Sequence, residues 1–429
     1  MKVRNHHFYK QLAVLTALGS LSQTSWAGGF LLIEQNVTNL GTAYAGSASL
    51  AEDASTNYYN SAGLTRLNQE QIVAGGVLVI PNTKLQVDNA VSTFGTPLSP
   101  SSGQTRPSDN ALIPSLHYAK RINEGWVFGF SATPIFGSKT IYKNDSIARY
   151  MATRSEMMTV NLGPSLAYEC GHGFSLGAGV DAAYLIAKLD SRIGFGNTST
   201  DGFSENTVSN WGVGYHIGAL YEMTDDTRFG LQFRSKLSVK GKGDSLTQFS
   251  SVAPLVRQGV KANIDLPESV LFSLYHAFND QWAVMSDVQW TRWNRFKQVN
   301  LTYDNGTQQI APENYKNNYR VSLGGSYQYN ERWRLKAGAL FDKSASRDGY
   351  RNIMIPEQDI TAGALGAQYR VSSALAVEFG YLHAFYKNAN IRQVAPTAVN
   401  APQGAQSLNG TVKNQMDLFG LQLTWDIKA

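Results

Sequence analysis

Residues 228–239 read RFGLQFRSKLSV, and apolar side chains alternate there with polar ones. The apolar set takes every second position: Phe229, Leu231, Phe233, Leu237 and Val239. The polar set takes the positions between them: Arg228, Gln232, Arg234, Lys236 and Ser238. Successive side chains of a β-strand point to opposite faces of the sheet. The stretch therefore predicts a strand with one apolar face and one polar face.

The same pattern recurs along the rest of the chain. We count fourteen such segments, centred near residues 76, 116, 130, 161, 182, 215, 233, 268, 290, 323, 337, 365, 380 and 420. Short turns alternate with long polar loops, among them the stretches near 193–207 and 241–257. An even strand number with one rim of short turns and one rim of long loops is typical of outer-membrane barrels. The sequence thus predicts an all-β, 14-stranded antiparallel transmembrane β-barrel.

Composition agrees with a barrel. Charged residues make up 16% of the chain, against about 25% in soluble proteins. A soluble β-sandwich would also alternate, but aliphatic residues would dominate its apolar face. Here aromatic residues stand near segment ends: Trp126, Tyr168, Trp211, Tyr221, Trp282, Trp290 and Trp333. They favour a lipid-facing aromatic girdle. A single cysteine excludes an intramolecular disulfide framework and a cysteine-based zinc cluster.

The N-terminus has the features of a secretory signal peptide. A basic start with Lys2, Arg4 and Lys10 precedes a short apolar stretch, and small residues precede a cleavage position after Ala27. Residues 1–27 contain three of the 37 basic residues and none of the 32 acidic ones, so the net charge falls from +5 to +2. The remaining charge gives no reason to expect nucleic-acid binding. Export to a bacterial outer membrane is predicted.

Residues 28–68 do not alternate and are dense in glycine and alanine. About 40 residues are too few for a stable separate domain. We therefore predict three parts: a signal peptide at 1–27, a hatch inside the lumen at 28–68, and the barrel at 69–429. A flexible N-terminal extension is the alternative to the hatch.

The hatch sequence resembles the FadL family, outer-membrane transporters of long-chain fatty acids and other hydrophobic compounds. Residues 41–46 match its Gly-x-Ala-x-Ala-Gly pattern, and residues 51–54 match Ala-x-Asp-Ala. The triplet Asn60-Ser61-Ala62 stands where the family has Asn-Pro-Ala, with serine in place of the proline.

The resemblance implies a mechanism. Extracellular loops capture the ligand, a lumenal pocket beside the start of the hatch binds it, and a kinked third strand releases it sideways into the membrane. It places a hatch gate at Asn60, Ser61 and Ala62, next to that kink. The third strand has residues suited to a kink, since proline donates no ladder hydrogen bond: Gly129, Pro134 and Gly137. Alternatively, Pro134 marks the rim of the strand.

A carboxylate ligand needs an apolar cavity and a cation. Five cations are predicted to face the lumen: Arg234, Lys236, Arg320, Arg334 and Lys336. Phe30 and Leu31 are predicted for the apolar pocket. Leu246, Phe249 and Val252 recur at helical spacing in a long loop and are predicted to capture ligand. An ion-paired lumen and a loop packed on its neighbours are the alternatives.

Four functions remain open at this point. Transport of hydrophobic molecules, with fatty acids first, is the main hypothesis, and uptake of aromatic hydrocarbons is the second. A general porin would be constricted by an inserted loop instead of a hatch. A lipid hydrolase would need a Ser/His pair on one barrel face, and the sequence indicates none. We expect no enzymatic activity, no cofactor and no metal, and a monomer in contact with outer-membrane lipids.

Overall fold

The computed structural model describes residues 29–98, 104–107, 110–394, 397–399 and 406–427. The predicted signal peptide lies outside the described residues. Fourteen long strands, six of them in two pieces, span Gln71–Val91 (β1), Ala111–Arg121 (β2), Trp126–Thr133 and Gly137–Ile141 (β3), Arg154–Gly171 (β4), Phe174–Ile193 (β5), Asp201–Glu222 (β6), Thr227–Arg234 and Leu237–Ser250 (β7), Val256–Leu266 and Ser269–Ala277 (β8), Trp282–Thr291 and Gln298–Tyr303 (β9), Gln308–Pro312 and Asn318–Gln328 (β10), Trp333–Asp342 (β11), Ile360–Arg370 (β12), Leu375–Tyr386 and Ala389–Val394 (β13), and Ser407–Asp426 (β14).

These strands form one closed antiparallel sheet. Each strand pairs with its neighbours in chain order, and β14 returns to β1 in a ladder that runs from Gln71 opposite Asp426 to Val91 opposite Ser407. The predicted 14-stranded barrel is confirmed. Three short strands, Pro97–Leu98, Gln104–Thr105 and Thr397–Val399, extend the sheet at the long-loop end.

Helices are few and short. Leu40–Thr42, Ser61–Arg66 and Trp293–Arg295 are 3-10 helices, and Thr56–Tyr59 is a single α-helical turn. Of the helices in the described ranges, none has the length and apolar character needed to cross a membrane.

Two predicted long loops are in fact largely strand. β6 already begins at Asp201, and β7 continues to Ser250, so the connections shrink to residues 194–200 and 251–255. The second piece of β7 pairs with both β6 and β8. These strands were not predicted because their outward side chains are polar. A strand that extends beyond the lipid presents polar side chains outward, and its sequence then resembles a loop.

The faces of β7 exchange at Ser235 and Lys236, which separate its two pieces. Before the break, Phe229 and Leu231 point outward as predicted, while Arg234 is buried. After it, Leu237 and Val239 are buried and Lys236 is exposed. The predicted faces of Leu237, Val239 and Lys236 were therefore wrong. An extra residue in a strand shifts the alternation by one position, and every later side chain changes face.

The N-terminal segment, residues 29–67, lies inside the barrel. Every residue from Gly29 to Thr65 except Glu52 is buried. Small residues on both sides allow close contact: a Cβ on Gly41 would lie 2.7 Å from Cα of Gly366 in β12. The segment occupies the lumen of the short-turn half and ends at the entrance to β1.

Candidate functional site

The third strand leaves the sheet between Thr133 and Gly137. Its first piece pairs with both neighbours, and the last pair with β2 is Leu116 opposite Ala132. Its second piece pairs with β4 alone. Above Leu116, β2 and β3 are therefore not joined by a ladder, and the wall has a gap. Pro134 lies within the break and Gly137 is the first residue after it.

Gly129 does not belong to this break. It sits in regular pairing, opposite Ala119 on one side and Ser165 on the other. A Cβ on Gly129 would collide with Asn57 of the N-terminal segment. Gly129 provides room for that segment, so its assignment to the kink was wrong.

The start of the N-terminal segment fills the gap. Leu31 forms an antiparallel bridge with Phe136. The amide of Leu32 donates to the carbonyl of Ile135 at 3.0 Å, and the amide of Gly137 donates to the carbonyl of Phe30 at 3.0 Å. Residues 30–32 thus serve as a short strand partner where β3 no longer pairs with β2.

Side chains satisfy the remaining backbone groups at the break. The amides of Ile135 and Phe136 donate to Thr159 Oγ1 at 3.2 and 2.8 Å. Gln35 Nε2 donates to the carbonyls of Pro134 and Leu32 at 3.1 and 3.0 Å. Unpaired backbone groups are costly when buried, so Thr159 and Gln35 stabilise the break. The sequence offered no signal for either, since their partners are far along the chain.

Two further residues join the segment to the first piece of β3. His117 on β2 lies 2.8 Å from the carbonyl of Gln35 through Nε2, and 2.9 Å from Ser131 Oγ through Nδ1. Asn57 Nδ2 donates to Ser131 Oγ at 2.7 Å and to the carbonyl of Gly163 at 3.0 Å. A histidine at an inward position was the only sequence signal available here.

The predicted gate triplet lies elsewhere. Asn60 Nδ2 donates to the carbonyl of Ala219 on β6 at 2.9 Å, and its Oδ1 accepts from the amide of Ala62 at 3.1 Å. Ser61 and Ala62 lie against Gly177 of β5. Asn60, Ser61 and Ala62 therefore contact β5 and β6, and it is Asn57 that bonds to β3.

Phe30 anchors the segment in an aromatic cluster. Its ring centroid lies 4.6 Å from that of Trp293, 5.2 Å from that of Phe296 and 6.0 Å from that of Phe136. Phe30 is fully buried and Leu31 is 8% exposed. The cluster continues into inward side chains of the long-loop half, among them Leu237, Val239, Ile264, Leu301, Met416 and Leu418. We call this region the apolar chamber.

The free volume in the chamber is small. A cavity of about 80 Å³ is lined by apolar residues such as Phe296, Leu301 and Ile264 and on another side by charged ones such as Arg154 and Glu156. An apolar cavity of ~150 Å³ holds one benzene. A long acyl chain can therefore enter only if side chains of the chamber move aside.

Of the predicted lumenal cations, three have acidic partners. Arg234 pairs with Asp181, Arg334 pairs with Glu52, and Lys336 Nζ lies 3.1 Å from Glu378. These pairs agree with the alternative of an ion-paired lumen. Lys236 is exposed at the break in β7 and does not face the lumen.

Arg320 differs from the other cations. It is 4% exposed, it takes part in no ion pair among the described residues, and its Nε has no hydrogen-bond partner there. Nearby buried atoms are also unpaired, including Glu34 Oε1 and Tyr44 Oη. Burial raises the pKa of Glu34 to about 7, although the amide of Ile33 and the charge of Arg320 act against it. The cluster beside the N-terminal segment therefore holds several buried polar atoms without hydrogen-bond partners among the described residues.

The predicted capture helix does not form. Leu246 and Phe249 belong to the second piece of β7, and Val252 follows in a turn. Three residues apart on a strand, Leu246 and Phe249 point to opposite faces. Phe249 is 59% exposed and Val252 is 92% exposed, so the three residues share no apolar face.

A Ser/His pair does occur on one barrel face. Ser165 Oγ lies 2.9 Å from His216 Nε2, and Asp181 Oδ2 lies 3.0 Å from His216 Nδ1. The sequence had indicated no such pair. All three side chains are buried, and a Cβ on Gly179 would collide with both Ser165 and His216. The row is further tied to Arg234, which pairs with Asp181, so it forms a buried hydrogen-bond and ion-pair network on the inner wall.

Comparisons with known proteins agree with this architecture. The family described as "Outer membrane protein transport protein (OMPP1/FadL/TodX)" matches residues 18–427. The chain is 27% identical to outer membrane protein P1 of Haemophilus influenzae, over 97% of this chain and 99% of that protein. It is 27% identical to the long-chain fatty acid transport protein of Escherichia coli K12, over 87% of this chain and 92% of that protein.

Solved structures share the fold. A Pseudomonas aeruginosa FadL homologue matches with a TM-score of 0.84 at 22% identity, over 93% of this chain and all (100%) of that chain. The Pseudomonas putida toluene transporter TodX matches with a TM-score of 0.70 at 15% identity, over 92% of this chain and 99% of that chain. The predicted resemblance is confirmed: the chain belongs to the OMPP1/FadL/TodX family of integral outer-membrane proteins that transport hydrophobic molecules.

Proposed function

We propose that this protein passively transports long-chain fatty acids and releases them sideways through the gap in β3. One observation carries the proposal: residues 30–32 close the gap with backbone hydrogen bonds while Phe30 packs in the apolar chamber. A ligand that displaces Phe30 from the chamber therefore also weakens the closure of the gap. Residues 29–67 act in this proposal as the hatch.

Arg320 supports a carboxylate ligand. Of the five predicted cations it is the one that is buried without an ion pair among the described residues, and its Nε is unsatisfied. A charge-assisted pair with a carboxylate would satisfy it. The related protein from Escherichia coli K12 is named as a long-chain fatty acid transport protein, which agrees with this ligand class.

A reversible cross-link tests the gap. Leu31→Cys and Phe136→Cys, in a Cys170→Ser background, place two thiols at an antiparallel bridge, where Cα atoms about 4.5–5.5 Å apart suit a disulfide. We expect the oxidised protein to lose oleate uptake and a reductant to restore it. The matched control is Val73→Cys with Thr424→Cys, which face each other in the β1–β14 ladder. Full oleate uptake by the oxidised gap variant would show the proposal to be wrong.

The second candidate is an aromatic hydrocarbon. With a free volume of about 80 Å³ in the chamber, a single ring would displace fewer side chains than an acyl chain does, and the Pseudomonas putida TodX structure is named as a toluene transporter. Arg320→Met separates the two. A fatty-acid carrier should lose roughly tenfold in oleate affinity and keep its affinity for oleyl alcohol. Unchanged oleate affinity together with tight toluene binding would favour the hydrocarbon.

The proposed transport involves no catalytic step. One chain forms one transporter. The closed barrel needs no second copy to complete its sheet. Purified protein should show no esterase activity, and Ser165→Ala should leave uptake unchanged. Light scattering of the protein in detergent, with the mass of the bound detergent subtracted, should give the mass of one chain.

A further inference from the structure

Outward-facing cations meet at the long-loop rim of β14 and β1. Lys84 and Lys413 stand directly opposite each other in the β1–β14 ladder. Residues so placed have Cβ atoms about 4.5–5.5 Å apart and project from one face. Lys413 is exposed and shares its alternation with exposed Phe419 and Leu421, so both ammonium groups lie on the outer wall.

This lysine pair has no counter-charge within the described chain. The ion pairs of the described residues, at N–O distances up to 4.0 Å, include neither Lys84 nor Lys413. Like charges directly opposite each other destabilise a sheet. An external anion held between the two ammonium groups would reverse that effect.

An interruption in the neighbouring strand opens a groove beside the pair. The β13–β14 ladder passes from Phe385 opposite Gln415 to Ala389 opposite Val412. The residues between are left out of the ladder. The resulting groove has a volume of about 220 Å³ and is lined by Lys84, Lys413, Asn82, Phe385 and Asn388, among others.

A second and larger groove continues from the same interruption. Its volume is about 550 Å³, and Asn388 lines both grooves. It contains Lys316, Lys387 and Arg392, none of which is ion-paired among the described residues. Its other two cations are neutralised locally: Lys343 lies 2.8 Å from Asp359, and Arg351 lies 2.8 Å from Asp348.

The distance of these cations from the apolar band of the outer wall places them relative to the lipid. On β14 the outward apolar side chains end at Phe419, and Lys413 lies six residues further on. At about 3.4 Å per residue this is ~20 Å along a tilted strand. Lys413 is therefore above the hydrocarbon and level with the sugar and phosphate groups of a large lipid head.

We propose that Lys84, Lys413, Lys316, Lys387 and Arg392 form a rim patch that binds the phosphates of an outer-leaflet glycolipid. Lysine and arginine form strong charge-assisted contacts with phosphate. Asn82 and Asn388 supply neutral donors in the grooves. The acyl chains of the same lipid lie along the apolar band below, beside Phe419. Binding there is independent of transport through the lumen.

The test measures binding of purified lipopolysaccharide to the full-length protein in detergent, by native mass spectrometry. The variant combines Lys84→Gln, Lys413→Gln and Lys387→Gln. Loss of these contacts should weaken binding by roughly tenfold or more. Enzymatically dephosphorylated lipopolysaccharide should bind the unaltered protein as weakly as the intact lipid binds the variant.

The control uses a second pair of opposed outward lysines at the same rim. Lys242 of β7 faces Lys261 of β8, both are exposed, and neither lines the two grooves. Lys242→Gln with Lys261→Gln should bind lipopolysaccharide as the unaltered protein does. If both variants lost lipopolysaccharide binding equally, the binding would depend only on the total positive charge of the rim, and the proposal would be overturned. Full competition by equimolar inorganic phosphate would overturn the assignment to a lipid. Heat-modifiable migration on gels verifies that each variant is folded.

Discussion

The two halves of β14 carry the same alternation with opposite meaning. In the short-turn half the exposed outward residues are apolar: Phe419, Leu421, Leu423 and Trp425. The inward residues there are small or polar, namely Gly420 and Gln422. In the long-loop half the outward residues are polar: Asn409, Thr411, Lys413 and Gln415. Apart from Gly410 and the partly buried Asn414, the inward residues there are buried and apolar: Leu408, Val412, Met416 and Leu418.

The difference follows from what lies on each side of the wall. Around the short-turn half the outside is lipid, and the inside holds the polar N-terminal segment. Around the long-loop half the outside is the polar layer of lipid headgroups and water, and the inside is the apolar chamber. The protein can build an apolar chamber at this level because the strands extend beyond the membrane. In β7 a break shifts the alternation, whereas in β14 only the residue types change.

The largest expected effect concerns the boundary between the halves. Phe30→Ala removes the ring that packs on Trp293, Phe296 and Phe136. Truncating a buried phenylalanine costs about 3–5 kcal/mol, so amides 30–37 should exchange hydrogen much faster. Phe419→Ala, the same change on the lipid-facing wall, should leave their exchange unaltered. Slow exchange in Phe30→Ala would mean that the ring does not hold the segment.

The second-largest effect concerns the outward face of β14, where a charge should cost more stability in the short-turn half than in the long-loop half. Leu421→Arg places a charge in the lipid and should lower the free energy of unfolding from liposomes by about 2–4 kcal/mol. Thr411→Arg on the same strand should lower it by about 1 kcal/mol or less. The measurement is urea-induced unfolding followed by tryptophan fluorescence. Equal losses would contradict a boundary between lipid and water within β14.

The inward glycines of the short-turn half should show a smaller effect. A Cβ on Gly218 would collide with Asn60, and overpacking costs about 1–3 kcal/mol. Gly218→Ala should therefore make the N-terminal segment more sensitive to protease while the barrel stays folded. Gly363→Ala is the matched control, because nothing lies within 4 Å of its Cβ position. Equal protease resistance in both variants would be inconsistent with tight packing in this half.

The smallest effect is a pH dependence at Glu34. Burial raises its pKa from 4.5 to about 7. A carboxyl group with a raised pKa stabilises the packed state fully at low pH, and this contribution is lost as pH rises through the folded-state pKa. Hydrogen exchange of the N-terminal segment, corrected for intrinsic rates, should therefore accelerate between about pH 4.5 and 7, the open-state and packed-state pKa values. Glu34→Gln should remove that acceleration, and its persistence would assign the titration to another group.

Some of the residues at the gap could be predicted from the sequence and others could not. Pro134 is found in the break because proline cannot donate a ladder hydrogen bond, and Phe30 was recognisable as an apolar residue at the start of the hatch. Thr159, Gln35 and Asn57 were not, because each is an ordinary polar residue in sequence. Their roles come from partners brought to them by the closure of the barrel, such as Phe136 and Ser131.

The sequence by itself determined the number of strands, their antiparallel closure and the presence of a segment without alternation before the first strand. Those properties follow from local alternation and its absence, which neighbouring residues define. Only the tertiary structure decided which face of β7 is inside beyond Ser235, which cation lacks a partner, and what fills the gap in β3. Each depends on a register shift or on contacts between distant residues, as between Leu31 and Phe136. The alternation of apolar and polar residues has a period of two residues, so it carries no information about register shifts or about contacts between distant residues.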